Sequence, residues 1–241
     1  MRRKRTTLHP ALDRRDPNYS MDTSPILRVY CSGPLFSPEE RASMAAIAAC
    51  LEARGHATFL PQRDGLEGLA LRLARAPFAK NATLGLADRL LRRAIFSLDA
   101  FELLERCDAV VCNLNGRVPD EGTVVEASLA FACGRPILAY KHDARSVFDG
   151  RDNPMLTGLF DNESCIRDIG EIAPALERAV VRARLVSPLA PLPPAMAETV
   201  RFGEKVWRFL EAVPSLRVEE KIAPGLLEKL AKLGTSAIDG F

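Results

Sequence analysis

The sequence predicts an α/β protein built on a parallel sheet, and three observations predict it. Short apolar, β-branched runs alternate with stretches of helical periodicity: ILRVYCS (Ile26 to Ser32), ATFL (Ala57 to Leu60), DAVVCNL (Asp108 to Leu114) and PILAY (Pro136 to Tyr140). The first three of these runs leave through loops of Gly, Pro, Asn and Asp, the pattern of right-handed crossovers with ligands seated beyond the carboxyl ends of the strands. The chain has 241 residues, 47% apolar and 27% charged. That is enough to bury one good-sized core, and it excludes a fibrous or disordered protein.

The first strand ends at Gly33-Pro34, through which no strand continues. Ser37-Pro38-Glu39-Glu40 then supplies an N-cap, a first-turn proline and a capping-box glutamate for an Ala-rich helix that stops at Gly55. The second strand is closed by Pro61, and the loop PQRDG (Pro61 to Gly65) follows. Helical stretches near Leu66 to Ala76 and Leu86 to Arg106, jointed about Pro77 and Asn81, predict a flap over one end of the sheet. DAVVCNL is the clearest buried strand. It leaves through NGRVPDEG into a helix from Thr123 to Cys133, closed by Gly134, and PILAY returns as the next strand.

Beyond Asp143 the chain reads as loop to Ser164 and as helix from Glu171 to Arg184. SPLAPLPPAM (Ser187 to Met196) is a Pro-rich joint, and residues 197–233 carry two amphipathic helical patterns around Trp207 and Leu227. Such helices dock either on a neighbouring subunit or on their own core. The predicted organisation is a flexible basic N-terminal arm at 1–24, an α/β domain at 25–186, and the joint with a C-terminal helical extension at 187–241.

Lys and Arg number 33 against 31 Asp and Glu, and residues 1–24 hold six of the bases and three of the acids, which leaves the body near neutral. Binding to a phosphate backbone needs a clustered basic excess, so nucleic acid is not an expected partner. The six cysteines contain no CxxC pair and several sit inside apolar runs, as buried reduced thiols do. With three histidines and no HExxH, no metal site is expected. No window approaches the ~18 apolar residues of a membrane span, so no membrane partner is expected. The basic N-terminus runs into polar residues rather than an apolar signal segment, and the expected location is cytoplasmic. The first residues read as a flexible arm, or as sequence ahead of a start at Met21.

No GxGxxG or GxxxxGK[ST] follows any strand, so the usual dinucleotide and triphosphate cradles are missing. The strand-end loops offer carboxylates and a phenol instead: Tyr30 in strand one, Asp64 after strand two, Asp120 and Glu126 after DAVVCNL, with Asp99 in the preceding helix. Glu126 lies among apolar residues near a helix start, where a carboxylate is costly to bury unless bonded and where the helix dipole favours its ionised form. That suits a nucleophile, although Thr123-x-x-Glu126 is equally a capping box. Asp120 alone reads as a turn residue, Asp99 as a helix cap and Tyr30 as core. Taken together, paired carboxylates around a cleft suit glycosidic cleavage: one attacks C1′ and one manages the leaving-group proton.

VYCSGPLF (Val29 to Phe36), DEGTVVE (Asp120 to Glu126) and DNPM (Asp152 to Met155), with Asp99 between them, resemble the nucleoside 2-deoxyribosyltransferase family. The resemblance implies a Rossmann-like, flavodoxin-related parallel sheet with helices on both faces. It implies exchange of the base of a 2′-deoxynucleoside through a covalent deoxyribosyl intermediate, with no cofactor. Glu126 is similar to the family nucleophile, Tyr30 to the tyrosine that orients it, and Asp99 and Asp120 to the two aspartates that contact base and sugar. Gly33, Phe36, Asp64, Asn153 and Met155 fall at substrate-binding positions, Asn153 at one that reaches a neighbouring subunit's sugar site. The implied partners are nucleosides, free nucleobases and further copies of the chain in a homo-oligomer with shared active sites. SGPLFS stands where related deoxynucleotide N-glycosidases carry a phosphate loop, which favours free nucleosides over 5′-monophosphates. The alternative is an N-glycoside hydrolase, in which water resolves the same intermediate. The third reading is a nucleotide-derivative sensor on the same fold.

Overall fold

The computed structural model describes residues 26–68, 70, 82–143, 152–186 and 189–212, with the side chains at 82–88 and 186 outside that description. The N-terminal arm, residues 69 and 71–81 of the expected flap with its joint, and the helical pattern around Leu227 lie outside the described residues.

Strand β1 (Arg28–Ser32) leads into helix α1 (Pro38–Glu52), whose start obeys the sequence. The Ser37 hydroxyl accepts from the Glu40 N–H at 3.1 Å, and the Glu40 carboxylate accepts from the Ser37 N–H at 2.8 Å. This reciprocal pair satisfies two amides that the helix cannot bond internally. The chain turns at Gly55, whose φ of 84° a side chain would resist, and enters β2 (Ala57–Phe59). Pro61–Asp64, expected as loop, forms a short helix α2 started by the proline.

Helix α3 (Ala82–Phe101) is followed by a π-helical turn at Glu102–Arg106, then β3 (Ala109–Asn113), α4 (Glu121–Ala132) and β4 (Ile137–Tyr140). Two elements fall where no periodic signal is present: a helical turn α5 (Pro154–Thr157) and a two-residue strand β5 (Cys165–Ile166). Both are too short for periodicity to register. β5 exists because its backbone completes the β4 edge, at Ala139↔Cys165 and Tyr140↔Ile166. Helices α6 (Ile172–Val186) and α7 (Pro194–Ala212) complete the described chain.

The five strands are all parallel, in the order β2-β1-β3-β4-β5. This is the flavodoxin-like doubly wound arrangement, with the direction of winding reversed between β1 and β3. Alternation along the strands divides the core in two. Val29, Cys31, Val111 and Leu138 face α1 and α6 through Met44, Ile47, Ile172 and Leu176. Tyr30, Val110 and Cys112 face the other way, onto Ala127 of α4, Phe101 of α3 and Val200 of α7. Each fully buried aliphatic side chain of this kind contributes roughly 1.5–3 kcal/mol.

Helix α7 packs on its own chain, which decides between the two docking modes the sequence left open for this part of the extension. Phe202, Val206 and Leu210 close against Leu91, Ala94 and Leu98 of α3. The helices approach so closely at Gly203 that a Cβ there would collide with the Ser97 carbonyl and stand 2.7 Å from Phe101 Cβ. Trp207 lies 5.9 Å from Phe101, ring centre to ring centre, with the Arg106 guanidinium 4.2 Å over it.

Candidate active site

The switch point between β1 and β3 opens a cleft of about 320 Å³ at the carboxyl ends of those strands. The loop after β1 contributes Gly33 and Phe36, the N-terminal end of α4 contributes Asp120 and Glu126, and α3 contributes Asp99. Gly33 is required by close approach, because a Cβ there would meet the Met44 side chain and stand 2.8 Å from Asn113 Cβ. Phe36, 65% exposed, stands at the cleft with little protein around it.

Glu126 is held from β1. Tyr30 Oη donates to its Oε1 at 2.7 Å, and the Ser32 hydroxyl donates to its Oε2. Tyr30 and Ser32 are two apart on one strand, so both side chains project to the same face. Tyr30 is fully buried and stacks on Phe59 at 5.4 Å, which fixes the phenol that fixes the carboxylate. Ser32 carried no signal in the sequence beyond its place at a strand end.

The capping-box reading of Glu126 is overturned. The N-cap of α4 is Asp120, whose Oδ2 accepts from the Thr123 N–H at 2.8 Å and from its hydroxyl at 3.0 Å. Glu126 therefore sits one turn further in, and its carboxylate crosses to β1 instead of returning to the helix backbone. Asp99 is likewise no cap. It lies in the last turn of α3 with Oδ1 buried and unbonded.

Burial, and secondarily the Asp120 charge, pushes the Glu126 carboxyl up to about 7, against the lowering effect of the Ser32 and Tyr30 hydrogen bonds. Asp99 is pushed well above the usual range by burial and then by the charges of Glu67 and Glu126. The same burial and the Asp99 and Glu126 charges raise the Tyr30 phenol, which stays a donor. The arrangement sets an oriented, ionisable carboxylate beside a second carboxyl that is raised well above the usual range.

Glu67, like Ser32, is a residue that sequence reasoning missed. It lines the cleft with Asp99, and its carboxyl is raised to about 7, chiefly by burial. Only its place after the second strand could have pointed to it.

Three expected positions fall elsewhere. Asp64 does not line this cleft: its Oδ2 accepts from the Leu60 N–H at 2.9 Å and it pairs with Arg63 at 2.9 Å, beside a separate polar recess formed with Arg28, Glu102 and Trp207. Asn153 caps α5 by accepting from the Met155 N–H at 2.9 Å, and Met155 is 84% exposed. Neither lines the cleft of its own chain. Their neighbour Asp152 is buried against Lys141 at 2.9 Å, and Lys141 also donates to the Leu114 carbonyl, tying this segment to the ends of β3 and β4.

All six cysteines are free, and burial raises Cys31 to about 12, too high for a reactive thiolate. Among the described residues no group of three or more His, Cys, Asp or Glu side chains is arranged to hold a metal ion. Among the same residues no helix is long and apolar enough to cross a membrane.

Comparison with curated proteins found no match. The family model described as "Nucleoside 2-deoxyribosyltransferase" matches residues 29–173, from β1 to the start of α6, and so takes in the strand-end carboxylates and their tyrosine. With more than half its length matched, on a flavodoxin-like sheet with this cleft at the switch point, the chain belongs to the nucleoside 2-deoxyribosyltransferase family, a family of pentosyltransferases.

Proposed function

We propose that the protein exchanges the base of 2′-deoxynucleosides by a ping-pong mechanism through a covalent deoxyribosyl–Glu126 intermediate. The observation that carries this reading is the bracing of Glu126 by Tyr30 and Ser32 at the edge of a cleft that also receives Asp99. Two hydroxyl donors orient the carboxylate and keep it ionisable despite its burial.

In the proposed first half-reaction a Glu126 oxygen attacks C1′ and the C1′–N bond breaks. The bonding pair stays on the base nitrogen, which takes the proton of Asp99. In the second half, Asp99 removes a proton from the incoming base as its nitrogen attacks C1′ and releases Glu126. Asp120 is suited to sugar contact rather than proton delivery, since one of its oxygens already accepts two hydrogen bonds at the α4 N-terminus. The proposed substrates are free nucleosides and nucleobases, in a homo-oligomer in which the exposed Asn153 and Met155 are available to a neighbouring copy.

Chromatography of the purified protein with a 2′-deoxynucleoside, with and without a second free base, tests the proposal. A new deoxynucleoside that requires the acceptor supports the transferase. Free base and deoxyribose without exchange would make it the hydrolase, and binding without turnover would make it a sensor.

A further inference from the structure

Glu67 has no assigned task in that mechanism, yet its surroundings are built around it. Its carboxylate folds back over Gly65, where a Cβ would collide with it and stand 2.7 Å from the Pro61 carbonyl oxygen. Glycine at 65 thus leaves the room that the carboxylate occupies. Glu67 and Asp99 both line the cleft, each with one oxygen, Oε2 and Oδ1, buried without a donor, and each carboxyl shifts the protonation of the other. Two carboxyl groups sharing a hydrogen bond need one proton between them.

We propose that Glu67 is a positioning residue: it accepts the hydrogen bond of the Asp99 carboxyl, and the two form an acid pair that holds a single proton facing the cleft for the departing base. The proposal rests on the deoxyribosyltransferase reading. The ionisable groups around the pair are Tyr30 from β1, and Glu126, Asp120 and Glu121 from α4 and its cap; no described basic side chain lines the cleft. Helix α7, packed against α3, meets it through Gly203 and Trp207, and its Glu204 pairs with Arg208 along its own surface.

The charges balance through the step. The resting site holds Asp99 protonated and Glu67 and Glu126 ionised. As Glu126 becomes a neutral ester, Asp99 releases its proton to the base nitrogen, so the site carries two negative charges before and after. Loss of the Glu126 charge makes Asp99 more acidic at the moment it must donate. The persisting Glu67 charge keeps Asp99 basic enough to accept a proton in the return step.

The test is Glu67→Gln, which keeps the size and a hydrogen bond but removes the charge. The expected result is an alkaline limb of the kcat/KM profile moved down by about one pH unit or more, with KM little changed. A variant that turns over with an unshifted alkaline limb overturns the proposal. The pair is also read without substrate, by the infrared carbonyl band of a protonated carboxyl in Glu126→Gln protein. That band should be present near neutral pH, absent when Asp99→Asn is added, and should titrate at lower pH when Glu67→Gln is added. A missing band, or a titration indifferent to Glu67→Gln, overturns the pair. Absence of turnover by the unaltered protein would instead count against the transferase reading, and the infrared titration would still decide the pair.

Discussion

The Tyr30 hydroxyl reaches Glu126 Oε1 at 2.7 Å across 96 residues of sequence. Parallel pairing of β1 with β3, at Tyr30↔Val110, sets the start of α4 beside the carboxyl end of β1 and makes the contact. A hydrogen bond to a charged acceptor is worth roughly 1.5–3 kcal/mol. Tyr30→Phe should therefore keep the ring stack on Phe59 and lower kcat/KM by roughly 10- to 100-fold. With that donor gone the Glu126 carboxyl rises further, so the acid limb of the profile should move to higher pH. Steady-state kinetics across pH checks both, and unchanged kinetics would remove Tyr30 from the site.

Glu126→Gln should abolish turnover, on the order of 10³-fold or more, while the protein remains folded by circular dichroism. Retained activity would exclude Glu126 as the nucleophile.

The same substitution should act on stability with a definite sign. The Glu126 and Glu67 carboxyls are both raised from 4.5 to about 7, so the folded state binds their protons more tightly than the unfolded state. The resulting stabilisation is fully present below about 4.5 and is lost as the pH rises through about 7. Relative to the unaltered protein, Glu126→Gln should therefore gain stability between pH 5 and pH 8, by a few degrees in Tm. Thermal unfolding of both proteins across that range checks the difference, and parallel curves would contradict it.

Asp120 caps α4, and its proposed contact with the sugar is separable from that task. Asp120→Ala removes the α4 cap and should cost about 1 kcal/mol in denaturant unfolding, whereas Asp120→Asn should keep the cap. A loss of activity common to both, with stability lost only in the alanine variant, would assign the charge to substrate rather than to the helix.

Gly203→Val should force α7 away from Ser97 and Phe101 and destabilise the protein by roughly 1–3 kcal/mol. Trp207 is the single tryptophan, and it packs on Phe101 and Arg106, so its emission should shift to longer wavelength in the variant. An unshifted spectrum with unchanged stability would mean that α7 is not part of the core.

Local chemistry was enough to place the main strands and helices. Apolar β-branched runs, the Ser37 capping box and Gly55 act within a few residues, so β1, α1, β3 and β4 were legible one residue at a time, and the order of elements implied a parallel sheet. The motif residues Tyr30, Asp99, Asp120 and Glu126 were legible through the family resemblance. What only the tertiary structure decided is which groups meet. Thr123-x-x-Glu126 satisfies a capping rule in sequence, but Asp120 takes the cap and releases Glu126 to Tyr30 and Ser32. Asp64 and Glu67 are three apart and both acidic, yet the turn at Gly65 leaves one paired with Arg63 and the other in the cleft that Asp99 lines. The strand β5 and the docking of α7 on α3 likewise depend on partners distant in the chain. Periodicity reports which face of an element is apolar; the burial and like-charge repulsion that raise the Asp99 carboxyl arise only when separate elements close on one another.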